Sequence, residues 1–433
     1  MKSLSVTRSL ALTGLGSGAR LFSSFVSIGV TARCLGPGEF GALMFALTLA
    51  TLLVVPANFG LSTYVLRTVA QASGDADVVV SDAMSARWLA VGLSTPLFLA
   101  ALLMLPAILS RTLFGLLLLA MLAEGFSEFY ISALRARGHY GEDARLGVET
   151  AWLYSLPVGL TAWATASVDA VALAYLLSRL VMAVRCRRVL SATGMHASWT
   201  GARSAWTRLR SCRAYATDYA MTAMFGQVDG IVLNHYLGAV AVGVHQAGMR
   251  LFMAAAQIGP ILANVFLPRV ASAAIHRTAD LHAESFRLQL TFVLVGAVVG
   301  LAFSLGASVL VGLAFGPQYQ ELVRLMPWFG LLFQVRFAAA AWGITLTSRG
   351  QQTFRAAASV GHWILVLVLA AALVPAFAAK GWLMALVIGN TVLWIAYAGR
   401  IIGCSGVGQA GGGAVVVVVA LVMMLPQGFL LAR

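Results

Sequence analysis

Cys34-Leu35-Gly36-Pro37-Gly38-Glu39-Phe40-Gly41 breaks a long apolar run with three glycines, a proline and one of only fifteen acidic residues in the chain. Glycine frees φ and proline fixes it, so such a cluster marks a turn. It separates an apolar stretch at 9–33 from another at 40–66. Each is long enough to cross a hydrocarbon core of roughly 30 Å, which needs about 20 residues of α-helix.

The rest of the 433 residues repeats this pattern. Hydrophobic side chains make up 60%, charged ones 10%, and the mean hydropathy is 0.88, against about 25% charged in soluble domains. Runs such as Gly115-Leu-Leu-Leu-Leu-Ala-Met-Leu122 are apolar on every side, as a lipid-facing helix must be and a barrel strand with a polar lumen face cannot be. The net charge of +14 would suit a nucleic-acid binder in a soluble protein. Here the arginines punctuate membrane spans, so they read as topology signals and not as a nucleic-acid surface. The four cysteines are scattered and form no CxxC pair, which gives neither a metal set nor a disulfide framework.

Further spans are expected at 87–106, 112–134, 147–166, 168–184, 214–237, 240–267, 288–313, 325–348, 356–377 and 381–402. A thirteenth apolar segment, 412–431, suits a span, a hairpin or an interfacial helix. Basic residues crowd every second connection: Lys2 and Arg8, Arg67 and Arg87, Arg135 to Arg145, seven arginines from Arg185 to Arg213, Arg269 to Arg287, Arg349 and Arg355, and Arg400. The positive-inside rule then makes the N-terminus cytoplasmic. The connection at 185–213, with Trp199 and Trp206 among its arginines, is expected to lie along the headgroup layer, held by anionic lipid or gripping substrate phosphate.

The opening turn has an echo. Leu35-Gly36 matches Leu237-Gly238, Gly41 matches Gly243 and Arg67 matches Arg269, all at an offset of 202 residues. Six spans return the chain to its starting side, so two such halves form a parallel repeat about an axis along the membrane normal, as in many transporters. The expected division is a six-helix lobe at 1–190, a basic amphipathic connection at 191–213, a second six-helix lobe at 214–403, and an extra hydrophobic segment at 404–433.

The stretch from Leu35 to Ala70, with its Asn58-Phe-Gly-Leu61 element, resembles the opening of the bacterial oligosaccharide flippases, the polysaccharide-transport branch of the MOP (multidrug/oligosaccharidyl-lipid/polysaccharide) exporter superfamily. Gln227-Val-Asp-Gly-Ile-Val-Leu and Phe266-Leu-Pro-Arg-Val-Ala271 resemble that family's second half, with His245 where Tyr is common and Asn58 where Asp is common. The resemblance implies an all-α polytopic MATE-like fold of two six-helix lobes related by a pseudo-two-fold. It also implies alternating access for an undecaprenyl-pyrophosphate-linked oligosaccharide in the bacterial inner membrane. Implied partners are that substrate, membrane lipids, a polysaccharide polymerase and a chain-length regulator.

Such cargo needs a wet, cationic path, because unpaired polar surface is costly in hydrocarbon. Arg20, Arg179, Arg250 and Arg336 fall inside expected spans, and each suits either a bidentate phosphate grip or a structural ion pair. Glu124 and Glu128, four residues apart on one helix face, offer a proton site or arginine partners. Asp229 could pair with Arg250 or help couple ion movement. Gln227, Asn234, Gln246, Gln257 and Asn264 recur at helical spacings and suit sugar hydroxyls or interhelical hydrogen bonds.

No cofactor is expected, though H+ or Na+ coupling is open. No phosphate-binding G-x-x-x-x-G-K-[ST] loop exists and the chain has only Lys2 and Lys380, so the polypeptide does not itself hydrolyse ATP. Two other readings remain: a cation-coupled multidrug exporter, which calls for an acidic cavity, and a glycan polymerase, which calls for a large external loop.

Overall fold

A computed structural model describes residues 6–71, 76–104, 110–263, 266, 270 and 278–404, with side chains described between Ser23 and Ile401 apart from 71 and 278–282 within those ranges. The described residues are helical almost throughout. The first part of the chain forms α1 (Val6–Leu53), α2 (Val55–Asn58), α3 (Leu61–Gln71), α4 (Ala76–Leu103), α5 (Arg111–Ala136), α6 (Tyr140–Thr165), α7 (Val168–Ala192), α8 (Ala202–Ser211) and α9 (Arg213–Leu237). After α10 (Ala239–Ala256) come α11 (Thr278–Leu305), α12 (Ala307–Ala314), a 3-10 turn at Pro317–Tyr319, α13 (Gln320–Ser348) and α14 (Gln352–Cys404). The expected thirteenth segment, 412–431, lies outside the described residues.

Two of these helices are too long to be single spans. At 1.5 Å per residue, α1 and α14 would run to about 72 and 80 Å if straight. Each contains one residue with non-helical dihedrals: Gly36 (φ 75°, ψ 168°) in α1 and Ala378 (φ 52°, ψ −140°) in α14. The break at Gly36 sits in the opening motif, with Pro37 starting the next helix where its missing N–H costs nothing. Gly238, its counterpart 202 residues on, precedes α10 with nearly the same conformation, φ 80° and ψ −176°. Positive φ with extended ψ is open essentially to glycine alone. The repeat seen in sequence is thus also a repeat of backbone geometry.

Packing divides the chain into two compact units, Met1–Ile231 and Val232–Arg433. In the first, α1 lies along α6, α5 along α7, and α3 and α4 against α5 and α8. A core of Leu61, Val65, Val80, Phe129, Leu134, Leu190 and Leu209 joins them. In the second, α13 runs between α11 and α14, and Val293, Trp342, Trp394 and Tyr397 fill a shared core. Small residues let these backbones approach: a Cβ on Gly330 would meet the Gly300 carbonyl oxygen at 2.5 Å. Outward faces carry Leu93, Leu99, Trp163, Val298 and Ile364 exposed, the surface a multi-pass membrane protein presents to lipid.

Several boundaries differ from those expected. α4 begins at Ala76, eleven residues before Arg87, and α7 runs on to Ala192 through Arg185, Arg187 and Arg188. The second span is broken at Phe59 and Gly60, both at positive φ, just after Pro56. These polar ends were read as loops because of their charges; Arg87 and Arg185 are instead met by side chains of neighbouring helices, while Arg187 and Arg188 stay exposed.

Candidate functional site

The charged face of α5 organises the first unit's interior. Glu124, Ser127, Glu128, Ile131 and Arg135 fall at i, i+3, i+4, i+7 and i+11, one stripe of a helix. With Thr150 of α6 and Arg179 and Met182 of α7 they line an open-sided cleft of about 130 Å³. The structure therefore brings the expected pair of acids, Glu124 and Glu128, together with Arg179, which the sequence left unconnected to them, and adds Arg135.

Arg179 is closely held. Its Nη2 lies 3.2 Å from Glu124 Oε1 and donates to the Tyr175 hydroxyl at 3.0 Å. Its guanidinium stands 4.8 Å from the Tyr154 ring and 4.9 Å from that of Tyr175. Of the two readings for Arg179, this geometry is the ion pair, since its charge is matched inside the protein. Arg135 is matched too, with Nε and Nη2 bound to both carboxylate oxygens of buried Asp143 at 2.8 and 3.0 Å. Glu128 has no ion-pair partner among the described residues, and its side chain is exposed to the cleft.

A second polar group went unrecognised in the sequence. Arg87 lies about 16 Å along α4 from its start, at 1.5 Å per residue, and is 1% exposed. Its Nη2 donates to Asn58 Oδ1, and Asn58 Nδ2 donates in turn to the Tyr219 hydroxyl at 2.8 Å. The guanidinium rests 4.7 Å from the Phe126 ring, while Nε and Nη1 are buried without a hydrogen-bond partner among the described residues. The signal available was Asn58 itself, a polar residue in a span immediately before a Phe-Gly break. Arg87 was masked by Asp77 and Asp82, which made its surroundings look like a connection.

On the same unit, one face of α4 ties down the basic connection. Asp77 Oδ1 accepts the His196 N–H at 3.1 Å, Ser81 Oγ donates to the His196 carbonyl at 3.0 Å, and Ser85 Oγ accepts the Thr200 N–H at 2.8 Å. Asp82 accepts from Ser204 Oγ at 2.9 Å and Arg208 Nη2 at 2.9 Å, and Arg208 Nη1 reaches the Tyr64 hydroxyl at 2.7 Å. Burial by itself would pull the Arg208 guanidinium down, but the bond to Asp82 and the neighbouring Tyr64 hold it above its ordinary value. Cys212, at the end of α8, is driven the other way: burial pushes its thiol up, only partly offset by Ser211 and Arg208.

The remaining candidates are spread. Gln227 and Asp229 stand half-buried on α9, where Asp229 Oδ1 accepts the Gly230 N–H at 2.8 Å. Asn234, near the end of the same helix, belongs to the second unit. There Gln246, Arg250 and Gln257 form one stripe of α10, the first two half-buried and Gln257 exposed at the helix end. Arg336 sits near the middle of α13, exposed, with its guanidinium 5.6 Å from the Phe252 ring. Phe252 is two residues past Arg250, a rotation of about 200°, so α10 itself keeps Arg250 and Arg336 on different sides. Arg336 has no carboxylate or hydrogen-bond partner among the described residues. The side chain of Arg20 and all of Asn264 lie outside the described residues. No group of acidic, His and Cys side chains able to hold a metal ion occurs among the described residues.

The fold has known counterparts. The lipid II flippase MurJ in an inward closed conformation superposes with a TM-score of 0.73 at 10% identity, over 98% of this chain and 97% of that one. An inward-facing multidrug resistance MATE family transporter of the MOP superfamily gives 0.61 at 16% identity, over 95% and 98%. At such identities these likenesses establish the fold alone. No curated protein sequence matches the chain. The model of one sequence family, described as polysaccharide biosynthesis protein, matches residues 6–274, and the chain belongs to that family, built on the fold of the MOP-superfamily transporters.

Proposed function

We propose that the protein is a flippase that moves undecaprenyl-pyrophosphate-linked oligosaccharide units across the bacterial inner membrane by alternating access, with its N-terminus in the cytoplasm. The observation that carries the reading is Arg336: a cation midway along a 29-residue membrane helix, exposed and without a carboxylate partner among the described residues. An arginine left so in hydrocarbon is costly unless an anion or water meets it, and a pyrophosphate fits its planar fork. Arg250 and Arg20 are proposed as further contacts along the path, and the stripe of Gln246 and Gln257, with Gln227, Asn234 and Asn264, as partners for sugar hydroxyls. The two-lobe division, with its basic connection, is proposed as the frame that rocks around the cargo. A polysaccharide polymerase and a chain-length regulator are its proposed neighbours in the pathway.

Glu128 is the proposed proton site if transport is coupled to H+, since Glu124 is neutralised by Arg179. The alternative reading, a multidrug exporter of organic cations, would also draw on Glu128 as its free acid. Arg336→Ala should abolish export of the lipid-linked glycan in a flippase-deficient strain while membrane abundance stays unchanged, and Arg336→Lys should retain part of it. Normal export by Arg336→Ala would remove the residue from the path. Thermal stabilisation of the purified protein by undecaprenyl pyrophosphate, and not by lipophilic organic cations, would separate the two transporter readings.

A further inference from the structure

The stretch from Arg185 to Arg213 contains seven arginines and no aspartate or glutamate. Two are spoken for: Arg185 binds both oxygens of Glu149 at 2.8 and 3.0 Å, and Arg208 binds Asp82. The other five, Arg187, Arg188, Arg203, Arg210 and Arg213, are exposed and have no carboxylate partner among the described residues.

Their placement follows from the helix. Ala205, Leu209 and Cys212 are buried, and α8 packs on α4. Arg203, Trp206 and Arg210 recur at i, i+3 and i+7 on a face of α8 turned away from that contact, and Arg213 follows at the start of α9. Trp206 is 45% exposed and Trp199 57%, and the Arg210 guanidinium lies 5.2 Å from the Trp206 ring. The Arg213 Nε caps the stripe by donating to the Arg210 carbonyl at 3.0 Å.

We propose that this arginine and tryptophan stripe, with Arg187 and Arg188 at the end of α7, binds the headgroups of anionic phospholipids in the adjoining leaflet. α8 lies in the chain between the end of α7 and the start of α9, and a connection this basic is expected at the headgroup level. Indole rings favour that level because one edge is apolar and the other polar. Cations there gain most from a phosphate layer, and an unmatched group of five has a charge complement in anionic lipid. The face opposite is already fixed to α4 through Asp77, Ser81, Asp82 and Ser85, so lipid bound here would tether that end of the first unit whatever the cargo.

The test uses the full-length protein in nanodiscs of phosphatidylcholine alone or mixed with graded amounts of phosphatidylglycerol, read by thermal unfolding and by lipid retained on purification. Wild type should be stabilised by phosphatidylglycerol and retain it, with the effect fading in high salt. The triple variant Arg203→Gln/Arg210→Gln/Arg213→Gln should unfold as wild type does in phosphatidylcholine. It should lose phosphatidylglycerol occupancy by about fivefold per arginine, or about a hundredfold in all. The matching triple Lys variant should keep the preference, since the layer reads charge. An unchanged preference in the Gln variant, or none in wild type, overturns the proposal. So does equal stabilisation by free inorganic pyrophosphate at the same residues, which would make the surface a soluble-phosphate site.

Discussion

At Gly125 an added Cβ would come against Arg87 Nη2 and Asn58 Oδ1. The position is therefore set by the need to admit a guanidinium between α4 and α5. Gly125→Ala should lower the thermal midpoint in detergent, with an overpacking cost of about 1–3 kcal/mol, whereas Gly92→Ala, with nothing within 4 Å, should be neutral or stabilising by about 0.5–1 kcal/mol. Equal behaviour of the two would mean that Arg87 is not held as described. The pair Arg179 and Glu124 makes a separate prediction. Each single Ala substitution should destabilise, and the double variant should fall short of their sum by a coupling of about 0.5–3 kcal/mol. Additive losses would return Arg179 to the candidates for substrate contact. Sequence could name both members of this pair but not join them, because the partner lies 55 positions away on another helix and nothing local encodes which arginine an acid meets. Tyr154, on α6, was invisible for the same reason, whereas Tyr175 stands four residues before Arg179 on α7 and was open to a local reading.

The helices themselves were largely legible, since an apolar run of span length has few alternatives in a chain this hydrophobic. What sequence misjudged was where α4 and α7 begin and end. Asp77, Ser81, Asp82 and Ser85 look like a loop by composition, yet at i, i+4, i+5 and i+8 they form one face of α4 and meet the backbone of 196–200 and the side chains of α8. Polar residues at a helix end are cheap when another segment supplies their hydrogen bonds. Asp82→Ala would remove the acceptor of both Ser204 and Arg208, leaving the Arg208 guanidinium with Tyr64 alone. Amide hydrogen exchange over 196–212 should then rise while α4 stays protected. Unchanged protection of that segment would show that Leu209 and Ala205, and not the polar clamp, hold α8 in place.

For the whole molecule, the informative quantity is the side on which each helix ends. The breaks at Gly36 and Gly238 share a backbone conformation, and both stand where the chain leaves one span for the next on the sparsely charged side. The repeat could be read from sequence because glycine is the only residue that tolerates those dihedrals. The placement of one unit against its copy has no such local requirement. Connectivity nonetheless fixes a strict alternation. Single cysteines introduced at Gly138, Gly194 and Gly350, on a cysteine-free background, should react with a membrane-impermeant maleimide from one side only; those at Ser110, Ser167 and Gly316 should react only from the other. The positive-inside rule assigns the first set to the cytoplasm, so inverted vesicles should label it and intact spheroplasts should not. A position that labels with the wrong set would break the six-and-six count at that span, and with it the parallel repeat on which the proposed rocking mechanism depends. Labelling of both sets from one side would disprove the multi-pass topology itself.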